Sequence, residues 1–128
     1  MLRTGAQAPP FLEIAMSDCL FCRIVAGEIP AQKVYEDDHT FAFEDLHPQA
    51  PTHVLIVPKK HIAGLAEAAA ADAEVLGLCL WAAAEIARQH GLRGGYRTVV
   101  NVGPDGGQTV FHLHVHLLGG RAMSWPPG

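Results

Sequence analysis

The sequence predicts an α+β domain built on a mainly antiparallel sheet, and three observations carry that expectation. The first is the run His112-Leu113-His114-Val115-His116-Leu117-Leu118, whose strict alternation has the period of a half-buried strand. The second is one long apolar stripe at three- and four-residue spacing between Asp72 and His90, the period of an amphipathic helix. The third is placement: the other strand-like runs cluster at both ends of the chain around that helix, which argues against alternating βαβ units.

The bulk properties bound what such a domain can be. With 128 residues, 49% hydrophobic and 17% charged, the chain fits one domain large enough to bury a core. A net charge of −4 gives no basic stripe for extended nucleic-acid binding. No apolar run approaches the ~18 residues of a membrane span, and no internal repeat is visible. Cys19, Cys22 and Cys79 do not make a disulfide framework, so a cytoplasmic protein is the simplest reading.

Taken in order, residues 1–15 carry Pro9-Pro10 and no periodicity, and read as an extension or a mis-called start before a domain over 16–128. Cys19-Leu20-Phe21-Cys22 supports three readings: a zinc half-site, a redox pair or chance. Residues 20–26 fit a short helix ending near Gly27, with Phe21 and Ile24 inward. Val34 to Glu36 and Thr40 to Glu44 read as two strands joined by the turn Asp37-Asp38-His39, and His53 to Val57 as a central strand closed by Pro58. The long helix buries Val75, Leu76, Cys79, Leu80, Ala83, Ile86 and Ala87, with Asp72 capping its start and Gly91 its end. Tyr96 to Val102 makes a fourth strand. Gly103 to Gln108 then turns the chain into the histidine strand.

That last strand carries the chemistry. Its outer face would hold three imidazoles about 6–7 Å apart, given the strand rise. Imidazole offers a nucleophile, a proton donor and a metal ligand near neutral pH. One such histidine is more often a surface residue, but three in register are harder to dismiss. The glycine-rich loop before them could turn backbone N–H groups toward one point as an anion cradle, with Asn101 and Thr109 adding side-chain donors. Phe43 and Leu46 fit a core equally well, and Asp45 fits a turn cap. His39, His47 and His90 match no motif and read as solvated surface.

The seven-residue run resembles the signature of the histidine triad (HIT) superfamily. The stretches Asp45 to His53, Pro58 to Ile62, Asn101, Asp105 to Gln108 and the ending Trp125-Pro126-Pro127-Gly128 extend the resemblance to its Hint branch of purine nucleoside phosphoramidases. It covers Asp18 to Gly128. It implies a HIT-like fold with a five-stranded sheet, one long and one short helix, and a homodimer with one continuous ten-stranded sheet. It also implies purine nucleoside monophosphates and phosphoramidates as partners, and neither nucleic acid nor membrane.

By the same resemblance His114 would be the nucleophile, His53 would hydrogen-bond the ring of His114, and His116 would hold phosphate oxygens or the leaving group. His112 completes the catalytic set. Asp45 would accept from the ribose; Phe21, Phe43 and Leu46 would enclose the purine. Asn101, Gly107, Gln108 and Thr109 would line the phosphate side, and Trp125 would reach the neighbouring subunit's site. Thr109 departs from the serine usual there, which puts the leaving-group preference in doubt. Some bacterial members pair a C-x-x-C with two histidines around zinc, here Cys19, Cys22, His61 and His112, while other Hint proteins lack the cysteines. A structural zinc therefore stays open, and no cofactor is expected for catalysis. Three functions follow from these residues: a nucleotidyl-histidine hydrolase, a binding module, or a metalloenzyme using His112 and His114 as ligands.

Overall fold

Five strands form one antiparallel sheet, as expected, and from edge to edge they run Lys33–Glu36, Thr40–Glu44, Thr52–Pro58, Val115–Gly119 and Tyr96–Val99. The computed structural model describes residues 18–128; the expectation for residues 1–15 lies outside the described residues. In chain order the elements are α1 (Leu20–Val25), β1 (Lys33–Glu36), β2 (Thr40–Glu44), β3 (Thr52–Pro58), two 3₁₀ turns (Leu65–Glu67 and Ala70–Asp72), α2 (Ala73–Gln89), β4 (Tyr96–Val99) and β5 (Val115–Gly119).

Strand parity sets the two faces of the sheet. Ala42, Val54, Ile56, Val115 and Leu117 pack on α2 through Cys79, Ala82, Ala83, Ile86 and Ala87. Four of those five helix residues are alanine or cysteine, so α2 sits close against the strands. The alternate residues Phe41, Phe43, Leu55 and Val57 pack with Phe21 and Ile24 of α1 on the other face. This is why β3 is buried on both faces along most of its length. The pairing of Leu55 with His116 puts His116 on the α1 face, because residues directly opposite in a ladder share a face.

Several boundaries differ from the sequence reading. Leu80 lies outside the core, 51% exposed beside Trp81, and Ala82 takes a buried place instead. Asp72 does precede α2 but makes no side-chain cap to it. Its carboxylate instead accepts from the N–H of Ala69 at 2.9 Å and from Lys60 Nζ at 2.5 Å. Gly91 closes the helix as expected: Gly91 N–H donates to Arg88 O and Leu92 N–H to Ala87 O, the paired bonds of a Schellman ending. The fourth strand stops at Val99 rather than Val102.

The largest difference concerns the histidine strand, where only Val115–Gly119 is regular. Continuing the register of β3 and β5 would set Pro58 opposite Leu113, and proline has no N–H for the ladder. The chain leaves the sheet there, and Leu113 N–H donates to Ile62 O at 2.6 Å instead. Nor is the histidine row an open polar face. His112 is fully buried and His114 is 7% exposed.

Ile86→Ala should destabilise the fold by about 3 kcal/mol, since a fully buried branched chain leaves a cavity when truncated. Glu74→Ala, at an exposed position of the same helix, should stay within about 0.5 kcal/mol. Urea unfolding of both variants checks the contrast; equal losses would contradict this packing.

Candidate active site and metal centre

Hydrogen-bond partners fix the tautomer of each central imidazole. His114 Nδ1 lies 2.7 Å from the carbonyl oxygen of His112. A carbonyl only accepts, so Nδ1 carries the proton and Nε2 is left as a lone pair. Phe21 stands edge-on to the His114 ring, centroids 5.1 Å apart at 87°, and closes its apolar side. Phe43 packs edge-on behind Phe21 at 5.3 Å. Phe21 and Phe43 are both buried.

His53 does not bond the ring of His114, contrary to expectation. Its Nδ1 accepts from the backbone N–H of Gln49 at 3.0 Å, so its proton must sit on Nε2. That Nε2–H donates to His116 Nδ1 at 2.9 Å and lies 3.4 Å from Asp45 Oδ2. His53 is a diagonal neighbour of His116 across the β3–β5 ladder, one register step from the place the expectation gave it. His116 then carries its proton on Nε2, a buried atom with no partner among the described residues. The rings of His114 and His116 are 5.0 Å apart. A lone pair on one and a proton on the other therefore stand side by side.

Burial keeps His53 and His116 neutral. It pushes His116 down to about 4, aided by its imidazole neighbours His114 and His53 and opposed by Asp45. Burial also lowers His53, against the pull of Asp45. Asp45 accepts from His47 N–H at 2.8 Å, so it does cap a turn while its second oxygen faces His53.

The glycine loop is closed rather than open. The N–H groups of Gly106, Gly107 and Gln108 donate to Gly103 O, Pro104 O and Gly103 O at 3.2, 3.0 and 3.0 Å. The expected cradle of free donors at Gly106 and Gly107 is therefore absent, because successive turns consume them. A Cβ at Gly106 would stand 2.4 Å from Val102 O, which only glycine tolerates. Gln108 acts as a strut within the loop. Its side chain accepts from Gly103 N–H at 3.0 Å and donates to Ala63 O and Val110 O at 2.8 and 3.1 Å, which uses both amide hydrogens and one of the two oxygen lone pairs. Asn101 is half-buried and Thr109 exposed at the loop ends. Leu46 is 88% exposed and Trp125 is 81% exposed; neither encloses anything within this chain. His39, His47 and His90 are exposed, as expected.

The second cluster is sulfur-rich. His112 Nε2–H donates to Pro58 O at 2.8 Å, which leaves Nδ1 as a lone pair. That atom faces Cys19 Sγ at 3.2 Å, Cys22 Sγ at 3.5 Å and His61 Nδ1 at 3.3 Å. His61 Nδ1 in turn lies 3.3 Å from Cys22 Sγ. A tetrahedral zinc with ordinary bond lengths sets two nitrogens about 3.3 Å apart and nitrogen and sulfur about 3.5 Å apart, so the donor set fits the ion. Cys19 caps α1, its Sγ accepting from Cys22 N–H at 3.3 Å, so the helix start holds both sulfurs in place. In the chain alone, burial pushes the Cys22 thiol up to about 12, with Cys19 adding to it; a coordinated dication reverses that by removing the proton.

The same tautomers speak against a hydrolytic metal held by His112 and His114. The lone pair of His112 points into the sulfur cluster, while the one left on His114 is at Nε2 of a ring that stands beside His116. Asp45, His53 and His116 also lie close enough to share an ion. Yet coordination through His53 Nε2 would force its proton onto Nδ1, against the N–H of Gln49. The groups that set these protons are mostly backbone: the carbonyls of Pro58 and His112 and the N–H of Gln49. No residue-type motif marks a backbone group, which is why the sequence did not single them out.

Comparison with known proteins agrees with this constellation. The HIT domain family profile matches residues 26–123, and the chain belongs to the HIT family, on its Hint-like side. A 14 kDa zinc-binding protein of Zea mays is 53% identical over 114 residues, covering 88% of this chain and 89% of its own. The adenylylsulfatase HINT1 of Arabidopsis thaliana is 46% identical over 114 residues, with 88% and 78% coverage. The crystal structure of a HIT family hydrolase from Legionella pneumophila superposes with a TM-score of 0.85 at 54% identity, covering 87% of this chain and all of that one.

Stability should fall as pH drops from about 6.5 toward 4. The depressed His53 and His116 refuse protons that the unfolded chain binds below its ordinary histidine value, so acid favours unfolding. Urea midpoints at pH 7 and pH 5 read this, and His116→Asn should lose part of the slope. A midpoint independent of pH would contradict it.

Proposed function

We propose that the protein is a purine nucleoside phosphoramidase, cleaving the P–N bond of adenosine or guanosine 5′-phosphoramidates through a nucleotidyl-histidine on His114. The observation that carries this reading is the 2.7 Å bond from His114 Nδ1 to His112 O, which presents Nε2 as a fixed lone pair. Nε2 attacks the α-phosphorus, the P–N bond breaks, and the amine leaves with its electron pair. Positive charge that develops on the ring is stabilised by the His112 carbonyl. The Nε2–H of His116, buried and without a partner among the described residues, donates to a phosphoryl oxygen or to the leaving nitrogen, where pre-aimed donors act on developing charge. Water then releases the monophosphate by the reverse geometry. Asp45 accepts from the ribose, Phe21 and Phe43 back the base side, and Asn101 and Thr109 face the phosphate. The name of the Arabidopsis relative favours adenylyl sulfate as a second substrate for the same attack, with sulfate as leaving group.

Cys19, Cys22, His61 and His112 would hold a structural zinc, and two plant relatives named zinc-binding proteins support it. When bound, the ion cross-links the start of α1, the turn after β3 and the entry to β5. We also infer a homodimer in the cytoplasm, with no nucleic acid or membrane as partner. Leu80 and Trp81 on α2 and Tyr96 on the edge strand β4 are 51%, 56% and 44% exposed, an apolar surface in want of cover. Pairing β4 with its copy would give ten strands and bring the partner's Trp125 toward the site. No described helix is long and apolar enough to cross a membrane, and the net charge is −4.

Replacing His114 with alanine should cut turnover of adenosine phosphoramidate at least about a thousandfold, the scale of losing a covalent nucleophile. Nucleotide affinity should largely persist, since base and ribose contacts lie elsewhere. Near-normal turnover would overturn the reading. For the metal, purified protein should carry about one zinc per chain, and Cys22→Ser should lose both zinc and thermal stability. Metal-free wild type that is equally stable would show the four donors to be mere neighbours.

A further inference from the structure

We propose that Arg121 is a positioning residue for the His53–His116 pair, acting through the loop that holds His53 in a single tautomer. The loop Asp45 to Pro51 joins β2 to β3 and carries the one N–H that meets His53 Nδ1, that of Gln49 at 3.0 Å. Gln49 itself is exposed and stands between Pro48 and Pro51, where proline removes the backbone donors that would otherwise stiffen the turn. Its carbonyl is fastened from a different part of the chain: Arg121 Nε–H donates to Gln49 O at 2.9 Å, while Nη1–H donates to Ala122 O at 3.1 Å. One step earlier, Gly120 (φ +90°) presses on the same loop. A Cβ there would stand 2.9 Å from Pro51 Cβ.

The guanidinium therefore fixes where Gln49 sits, Gln49 N–H fixes which nitrogen of His53 is protonated, and His53 Nε2–H fixes the ring of His116 at 2.9 Å. Without Arg121 the loop can carry Gln49 N–H out of reach. His53 is then free to move its proton to Nδ1, and His116 loses the donor that keeps its own proton on Nε2. The segment after β5 thus helps set the protonation of a ring it does not touch. The rate consequence rests on the phosphoramidase reading; the tautomer consequence does not.

The test uses the full chain with nitrogen-labelled histidine. Long-range proton–nitrogen spectra should show His53 as a single Nε2–H tautomer in the wild type and as a mixture in Arg121→Ala. In the same variant kcat for adenosine phosphoramidate should fall about tenfold with KM within about twofold, as expected when groups are misplaced rather than removed. Arg121→Lys, which keeps a donor within reach of Gln49 O, should restore the single tautomer, as should added guanidinium in part. Should Arg121→Ala fail to fold, Arg121→Met keeps the stem, removes the donors and gives the same reading. A His53 tautomer unchanged in the folded variant overturns the proposal whatever the rate does. A shifted tautomer in a protein whose wild type turns over no phosphoramidate upholds the positioning role while the phosphoramidase reading falls.

Discussion

The arrangement depends on one constraint, that a neutral imidazole has one proton for two nitrogens. Each of His53, His112 and His114 has one nitrogen committed by a backbone group that can only accept or only donate, and His116 is committed by the Nε2–H this leaves on His53. The other nitrogen follows by subtraction. For His112 it is a lone pair among thiols, for His114 a lone pair beside the site, and for His116 a buried N–H. Burial makes the constraint strict, because it keeps His112 and His116 down to about 4 and so neutral across the physiological range.

His112 links the two clusters. Its ring faces Cys19, Cys22 and His61, while its carbonyl holds the His114 ring. Any displacement of that residue moves the His114 ring with it, so an ion held by the sulfur cluster would have a geometric route to His114 without touching it. The fold makes this economical. Pro58 ends the β3 ladder, the segment before β5 swings away from the sheet, and the freed backbone of Pro58 and His112 becomes the set of acceptors that the imidazoles need.

Much of this was legible in the sequence, and the remainder was not for definite reasons. The five strands, the long helix, the Schellman end at Gly91 and the inward Phe21 and Ile24 follow from period and punctuation. Leu80 reads as core because a stripe of alanines is a weak hydrophobic signal, so a larger residue two positions from the buried Ala82 looks like the better core candidate. The four candidate metal donors and the histidine set are visible as residue types, but their pairing is not. Register decides that His53 meets His116, and backbone carbonyls decide the tautomers. The loop from Gly103 to Gln108 misled in the opposite direction: glycines suggest open N–H groups, yet consecutive turns close them, and Gln108 spends its amide on the loop itself.

In the proposed reaction His114 Nε2 forms a bond to phosphorus. A rapid quench of the wild-type protein with adenosine phosphoramidate radiolabelled at the α-phosphorus tests it most directly. Covalent attack by His114 should leave label on the protein within the first turnover, stable to base and labile to acid as a phosphorus–nitrogen bond should be, and mapping to the peptide that contains His114. Turnover with no labelled protein at any time, or label on a different residue, would contradict it.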